Sequence, residues 1–538
     1  STRSRCQPDY YVQQCHITDT PSTYQSASTS SEKQEWRKAM KSEMKSLEDN
    51  DVWDLVNLPS GRKIVGSKWV FKKKIGPNGT VERFKARLVA QGYTQKFGTD
   101  YDETFCPVVR QESLRTILAL SAKFDLKLHQ VDVTTAFLNG SLKEEVFMRQ
   151  PEGFECPGSE NLVCKLKKSI YGLKQSPRCW NTTLDQYLKR CSFTQSKADP
   201  CIYFKDAGGE NPCYIGVYVD DIIIAAKLDH QIQQVKDSLS QQFELKDLGQ
   251  LKYFLGMSIS RNVESGHILI NQPAYIKRIL EVFGMQDCKS VSTPISNTSK
   301  LEKSSVEDEC IDQHKYQSAI GSLLYLAVCT RPDISYAVST LAKFTLKPNN
   351  KHWTALKRIF RYLQGTKTLG LKYSRNSEIS GIVGYSDADW AGDVAERRST
   401  SGYMFLFNGG PISWKSQRQK CVALSTAEAE YVALSSAAQE SIWLTQLLSE
   451  LTRASETPMV IHEDNQSTIA MARNPQYHGR AKHIEIKHHF IRDQVANGTI
   501  ELVYCPSSQM IADMLTKGLN CDSLIYLRTQ SGMFDNVK

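Results

Sequence analysis

The sequence predicts an α+β multidomain fold, on three observations. The chain has 538 residues, enough for several domains at roughly 100–200 residues each. Apolar residues make up 40% and charged residues 23%, the balance of a soluble globular protein. That excludes a wholly disordered chain, a collagen or a small disulfide scaffold. Strand-like alternation and helix-like spacing both recur, and breaks at residues 290–312 and 374–380 divide the chain. The division gives a mixed α/β region to about 270, a helical region to about 375 and a second α/β domain to about 520. No internal repeat is evident.

Residues 1–30 are rich in Ser, Thr, Gln and Tyr, and read as a flexible leader. Ser31-Glu32-Lys33-Gln34 fits a capping box, with Trp36, Met40, Met44 and Leu47 following at helical spacing. Residues 68–75 and 81–90 read as two strands joined by a Gly76-Pro77-Asn78-Gly79 turn. Alternation puts Arg83, Lys85 and Arg87 on one face and Phe84, Ala86 and Leu88 on the other. Three cations on one face repel unless an anion sits there, either a triphosphate or a nucleic-acid backbone. Protection of an edge strand by charge explains them equally well.

Residues 126–133 read as a strand carrying Asp132 near its end. Residues 213–219 are almost wholly apolar; Asp220 and Asp221 follow, then Ile222, Ile223 and Ile224. This predicts a hairpin with both aspartates at its tip. Asp-Asp is a poor turn sequence, and adjacent carboxylates are costly without a cation. With Asp132 they would make an oxygen-ligand set suited to Mg²⁺.

The uncharged stretch 316–330 is shorter than the roughly 20 apolar residues of a membrane span and predicts a buried helix. No membrane partner is expected. Residues 351–375 hold seven Lys/Arg and no Asp or Glu. Lys357, Arg358 and Arg361 share a helix flank opposite Trp353, Leu356, Phe360 and Leu363. Alone, that flank reads as a solvated basic face. Beyond 376, a strand delivers Asp387, and a helix over about 426–451 opens on Ser425-Thr426-Ala427-Glu428, a capping box. Glu428 is thereby occupied, and Glu430 is the better metal candidate. A further strand leads to Asp464, and a helix after Ser507-Ser508 carries Asp513.

The fifteen cysteines include no C-x-x-C pair, so reduced thiols are expected rather than a disulfide framework or a structural zinc site. No signal segment opens the chain. The net charge of +9 permits a polyanionic partner.

Gln130-Val131-Asp132-Val133-Thr134-Thr135-Ala136-Phe137-Leu138-Asn139-Gly140, Tyr171-Gly172-Leu173-Lys174-Gln175-Ser176-Pro177-Arg178 and Tyr218-Val219-Asp220-Asp221 resemble the polymerase motifs of reverse transcriptases. Trp69-Val70-Phe71-Lys72, Lys85-Ala86-Arg87-Leu88-Val89-Ala90-Gln91-Gly92, Asp247-Leu248-Gly249 and Tyr253-Phe254-Leu255-Gly256 narrow the resemblance to the Ty1/copia class of LTR retrotransposon. Asp387, Glu430, Asp464 and Asp513 resemble the ordered four-carboxylate set of RNase H. The match covers about residues 31 to 520.

The resemblance implies a right-hand polymerase followed by an α/β RNase H-like domain. Fingers and palm would span 31–271, a helical thumb and connecting region 272–375, the RNase H-like domain 376–520, and a C-terminal tail 521–538. It implies a palm triad of Asp132, Asp220 and Asp221, with Asp221 supporting. Each active site would hold two Mg²⁺, with Mn²⁺ as the alternative ion, for two-metal phosphoryl transfer. Lys85 and Arg87 would hold the incoming triphosphate, Phe137 would act as the gate against a ribose 2′-hydroxyl, and Tyr171 and Gly172 would lie beside the base. Phe254, Leu255, Gly256 and Met257 would form the primer grip, although their apolar side chains fit core positions equally well. Lys357, Arg358 and Arg361 become template–primer contacts. The implied partners are an RNA template, a DNA or tRNA primer, RNA–DNA hybrid, dNTPs, and the integrase and capsid portions of a larger polyprotein. The implied setting is an intracellular, cytoplasmic virus-like particle with later nuclear entry. The pattern lacks the histidine that cellular RNase H often has between Tyr504 and Asp513; His483, His488 and His489 are nearby only in sequence. A competing reading is an inactive, element-derived nucleic-acid-binding protein. An RNA-templated RNA polymerase is disfavoured by bulky Phe137 and by the second acidic set.

Overall fold

The computed structural model describes residues 20–75, 81–296, 301–305, 308–376, 381–393, 396–454, 458–473 and 482–535. Most of the expected leader and the 76–79 turn lie outside the described residues. The leader's last part does not read as coil, because Tyr24–Thr29 is a helix capped by Thr23.

The first long helix, Lys33–Asp49, starts without the expected Ser31 box; Glu32 stands at its N-cap and makes no side-chain cap bond. Trp36, Met40 and Leu47 are buried as their spacing requires. Trp36 meets Phe71 and Phe84 edge-on, at 5.2 and 4.7 Å, which fixes the helix to the hairpin Ser67–Ile75/Val81–Ala90. Ala86, Leu88 and Ala90 face this core, leaving Arg83, Lys85 and Arg87 on the other side.

The central sheet has six antiparallel strands in the order Leu245–Gln250, Lys127–Val133, Asp221–Ala226, Cys213–Tyr218, Ile202–Lys205 and Thr194–Gln195. Helix Gln111–Lys123 packs on one face, and helices Ser176–Arg190 and Asp229–Gln242 on the other. Burial on both faces explains why 213–217 and 222–226 read as unbroken apolar runs.

Another antiparallel sheet runs Tyr253–Phe254, Met257–Asn262, His267–Asn271, Leu369–Ser374 and Met533–Asp535. The expected C-terminal tail therefore differs from coil in its described residues: it holds helix Cys521–Gln530 and that fifth strand. Between these strands lie helices Pro273–Val282, Gln313–Cys329, Ser335–Ala342 and Asn350–Gln364. The last domain has five strands in the order Gly410–Arg418, Thr400–Phe407, Ile382–Asp389, Met459–Glu463 and Ile500–Tyr504. The first three pair antiparallel and the last three parallel, with helix Thr426–Thr452 against the sheet. This topology is RNase H-like.

The regions suggested by the composition breaks are not separate bodies, because one apolar core runs from Val109 to Met533. Buried Arg115 bridges them. Its Nε donates to Ile412 O at 2.7 Å, its Nη1 donates to Val328 O at 2.7 Å, and its guanidinium stacks on Trp414. No helix among the described residues is long and apolar enough to cross a membrane.

Candidate active sites

The first acidic centre sits at the ends of two inner neighbouring strands of the six-stranded sheet. Asp132 pairs directly with Asp221. Opposed residues of an antiparallel pair point to one face, so these two carboxylates share it. Tyr218 pairs with Asp221, which leaves Val219 and Asp220 as the turn. The expected Asp-Asp tip is thus shifted by one residue: Asp221 opens the return strand. Val219 has φ +56°, a strained value for a β-branched residue. The turn is held from both sides, as the Trp180 indole N–H donates to Val219 O at 2.7 Å and the Val133 N–H to Asp220 O at 2.8 Å. Burial first, and then the Asp132 charge, raises the Asp220 carboxyl above its ordinary value. Gln130 Nε2 donates to Asp221 Oδ1 at 3.1 Å and so occupies one oxygen of that carboxylate.

Beside these acids, Arg87 lies 3.9 Å from the centre of the Tyr171 ring, and Tyr171 meets Phe137 edge-on at 4.7 Å. Burial lowers the Arg87 guanidinium's pKa, while Glu43, Asp220 and Asp132 pull it back up. The Ala90 N–H donates to Tyr171 O at 2.8 Å, tying the end of the hairpin to the Tyr171–Gly172 turn. Gly172 has φ +92°, and a Cβ there would meet Ala90 O at 2.1 Å, so only glycine fits. Lys85 is half-buried on the same strand face as Arg87.

Two other expected groups are only partly presented to solvent. Phe254 and Met257 are buried core residues. Only Leu255 and Gly256 form the hairpin tip, both at positive φ (47° and 73°) as a two-residue turn demands. Tyr325 Oη donates to Leu255 O and closes the space a Cβ at Gly256 would need. On helix Asn350–Gln364, Arg358 Nη2 donates to Thr293 Oγ1 at 2.8 Å and Arg361 Nε to Lys289 O at 2.8 Å. These two arginines fasten the 285–295 segment, and Lys357 on the same flank is only half-exposed.

The second centre lies on the RNase H-like sheet. Ligand atoms of Asp387, Glu430 and Asp464 all lie within 4.8 Å of one another. Among the described residues, Asp132, Asp220 and Asp221 make no comparable knot. Asp387 and Glu430 are buried, at 2% and 6% exposure. Asp387 accepts from Thr516 Oγ1, and Asp464 from Ser507 Oγ at 2.7 Å. Glu428 does cap the helix start, but through Leu424 N–H at 2.6 Å rather than the Ser425 backbone. Asp513 lies in a 3₁₀ turn, Ile511–Leu515, instead of the expected helix. Lys517 Nζ sits 2.8 Å from Asp513 and 3.9 Å from Asp387. Burial, and then the neighbouring acids, push Glu430 up to about 12 and Asp513 to about 7. Burial works against the Lys517 charge, but Asp387 and Asp513 outweigh it and raise the ammonium's pKa.

These features fit a divalent cation. Four acids crowd together at the cost of mutual repulsion, and buried Glu430 Oε2 has no hydrogen-bond partner among the described residues. Sequence reasoning missed Glu463, which is fully buried beside Asp387 and raised well above the ordinary carboxylate range, chiefly by burial. The alternation of Met459–Glu463 could have found it, since Met459, Ile461 and Glu463 share the inward face. It also missed Thr516, Lys517 and Gln130. The side chains of His483 and His488 lie outside the described residues, and His489 is exposed.

A clamped acidic turn on an antiparallel sheet, followed by an RNase H-like domain with four clustered acids, defines the right-hand polymerase fold joined to an RNase H-like fold. The family described as reverse transcriptase (RNA-dependent DNA polymerase) matches residues 50–297. The retrovirus-related Pol polyprotein from transposon TNT 1-94 of Nicotiana tabacum is 44% identical over 510 residues, 94% of this chain and 38% of that protein. The putative transposon Ty5-1 protein of Saccharomyces cerevisiae is 34% identical over 311 residues, 58% of this chain and 100% of that protein. The foamy viral protease-reverse transcriptase in complex with RNA/DNA hybrid superimposes with a TM-score of 0.48 at 14% identity, over 87% of this chain and 53% of that one. The chain belongs to the reverse transcriptase family of copia-type retrotransposon Pol polyproteins. It spans about a third of the length of the plant polyproteins it matches.

Proposed function

We propose that this chain copies an RNA template into DNA at the first centre and cuts the RNA strand of RNA–DNA hybrids at the second. The observation that carries the reading is the facing of Asp132 and Asp221, with Asp220 in a clamped turn and the Arg87–Tyr171–Phe137 stack alongside. Asp132 and Asp220 would hold Mg²⁺, or Mn²⁺ in its place, with Asp221, bonded by Gln130, in a supporting position. The bound metals supply Lewis-acid stabilisation of charge at the reacting phosphate. Arg87, held flat on Tyr171, and Lys85 orient the triphosphate of an incoming dNTP; Phe137, braced by the same ring, closes the space beside the sugar.

The hairpin tip Leu255–Gly256 holds the primer end, on a DNA or tRNA primer. The solvent face of helix Gln313–Cys329 continues from it: Gln317, Gly321, Leu324 and Val328 are exposed there. That flat, uncharged face suits a duplex minor groove better than the engaged arginines 358 and 361 do.

At the second centre Asp387, Glu430, Asp464 and Asp513 would hold the metals, and Ser507 and Thr516 orient two of those carboxylates. Selection for RNA would rest on 2′-hydroxyl contacts across the minor groove. The integrase and capsid portions of the polyprotein are the expected companions, within a cytoplasmic virus-like particle that later delivers DNA to the nucleus. The test is primer extension on an RNA template with Mg²⁺, beside Asp220→Asn. Extension by the wild type and none by the variant supports the reading; equal extension by both refutes it.

A further inference from the structure

The segment that follows the fingers hairpin inverts the usual rule of burial. Its aromatic residues point outward: Tyr93 is 76% exposed, Phe97 73% and Phe105 74%. Its polar residues point inward, with Gln95, Asp100 and the facing Gln175 all buried. Large apolar side chains exposed on an ordered surface mark interaction sites.

The segment is held rigid by those buried amides. Gln95 Nε2 donates to Gln175 Oε1 at 3.0 Å, Gln175 Nε2 to Asp100 O at 2.8 Å, and Lys96 N to Asp100 Oδ2 at 2.7 Å. The rings are therefore presented without an ordering cost at binding. Phe97 and Tyr101 meet edge-on at 5.9 Å, and the Lys174 ammonium lies 4.5 Å from the Tyr101 ring centre.

The aromatic surface is continuous with the candidate polymerase site. Gly92, which opens the segment, packs so closely on Gly172 that a Cβ would stand 2.1 Å from Gly172 O. Tyr171, carrying the Arg87 stack, is the next residue along. Exposed Lys96 and half-exposed Lys174 add positive charge beside Phe97 and Tyr101, while exposed Asp102 lies towards Phe105 and Arg178 is paired with Glu103. Exposed rings interleaved with cations suit the faces and phosphates of an unpaired nucleic-acid strand.

We propose that Tyr93, Phe97 and Phe105 form a stacking platform for the single-stranded template ahead of the candidate polymerase site. The inference rests on the polymerase reading above. A protein surface is the other occupant such rings fit; the ammonium groups of Lys96 and Lys174 beside Phe97 and Tyr101 favour a nucleic-acid strand.

The test is fluorescence-anisotropy binding of labelled primer–templates to the full chain, blunt or with a 12-nucleotide single-stranded template overhang. The variants are Phe97→Ser and the triple Tyr93→Ser, Phe97→Ser, Phe105→Ser, checked for fold by circular dichroism. The wild type is expected to bind the overhang substrate at least tenfold more tightly than the blunt one. Phe97→Ser should remove part of that gain, and the triple variant nearly all of it. The salt dependence should stay unchanged, because stacking releases no counterions. Blunt-duplex affinity should be unaffected. A triple variant that keeps the overhang gain, or a wild type that shows none, overturns the platform and leaves the rings to a protein partner. A wild type that binds neither substrate overturns the polymerase reading and the platform with it.

Discussion

Replacing Lys517 with Met keeps the methylene stem and removes the charge that sits between Asp513 and Asp387, 2.8 and 3.9 Å away. Both carboxylates are buried, at 10% and 2% side-chain exposure, whereas Lys517 is 40% exposed. Removing one partner of a fully buried ion pair costs about 3–5 kcal/mol. Solvent screening of the half-exposed ammonium reduces that to about 2 kcal/mol in metal-free protein. If Asp387, Glu430, Asp464 and Asp513 form a cation site, bound Mg²⁺ takes over the neutralising role. With saturating Mg²⁺ the loss should then fall within the ~0.5 kcal/mol of an ordinary surface change. The assay is urea unfolding of both proteins in EDTA and in excess Mg²⁺. An equal loss in the two buffers would refute the reasoning, making Lys517 a plain ion-pair partner and the acids no metal site.

Phe137→Ala opens the space beside Tyr171 and should raise ribonucleotide incorporation by roughly tenfold or more in single-turnover extension; unchanged sugar selectivity reduces Phe137 to packing. Asp333→Asn breaks a fully buried bidentate pair with Arg331, at 2.7 and 2.8 Å, and should cost about 3–5 kcal/mol. Tyr362 bonds both Asp333 and Arg528, so limited proteolysis should then cut the C-terminal helix first. Metal-free protein should lose stability as pH rises from about 4 to 7. Asp513 is raised from 3.8 to about 7, so within that window the folded state binds a proton the unfolded state has released. The effect is worth up to about 4 kcal/mol; a flat melting profile in EDTA over that range would contradict it.

Period and register made much of this molecule readable from sequence. Apolar runs around Asp220 and Asp221 demanded a doubly covered hairpin, and strand alternation put Arg83, Lys85 and Arg87 together. The helix-start logic placed Glu428 at the cap, where its bond goes to Leu424, and Glu430 stands in the acid cluster with Asp387 and Asp464. What was not legible depended on contacts distant in sequence. Arg358 and Arg361 look like free cations until the 285–295 segment folds over them. Phe254 and Met257 read equally as grip or core until the sheet buries them. The one-residue shift of the acidic turn follows from Trp180 holding Val219 in a conformation its side chain disfavours. The C-terminal strand has no local signal, because Met533–Asp535 is ordered by pairing with Leu369–Ser374.

The claim of two separate acidic centres in one chain is tested most directly by a single reaction with two readouts. Labelled primer reports synthesis on an RNA template, and labelled template reports its cleavage, for the wild type, Asp220→Asn and Glu430→Gln. The account predicts that Asp220→Asn cuts hybrid without extending, and that Glu430→Gln extends without cutting. Loss of both activities in either variant would contradict it.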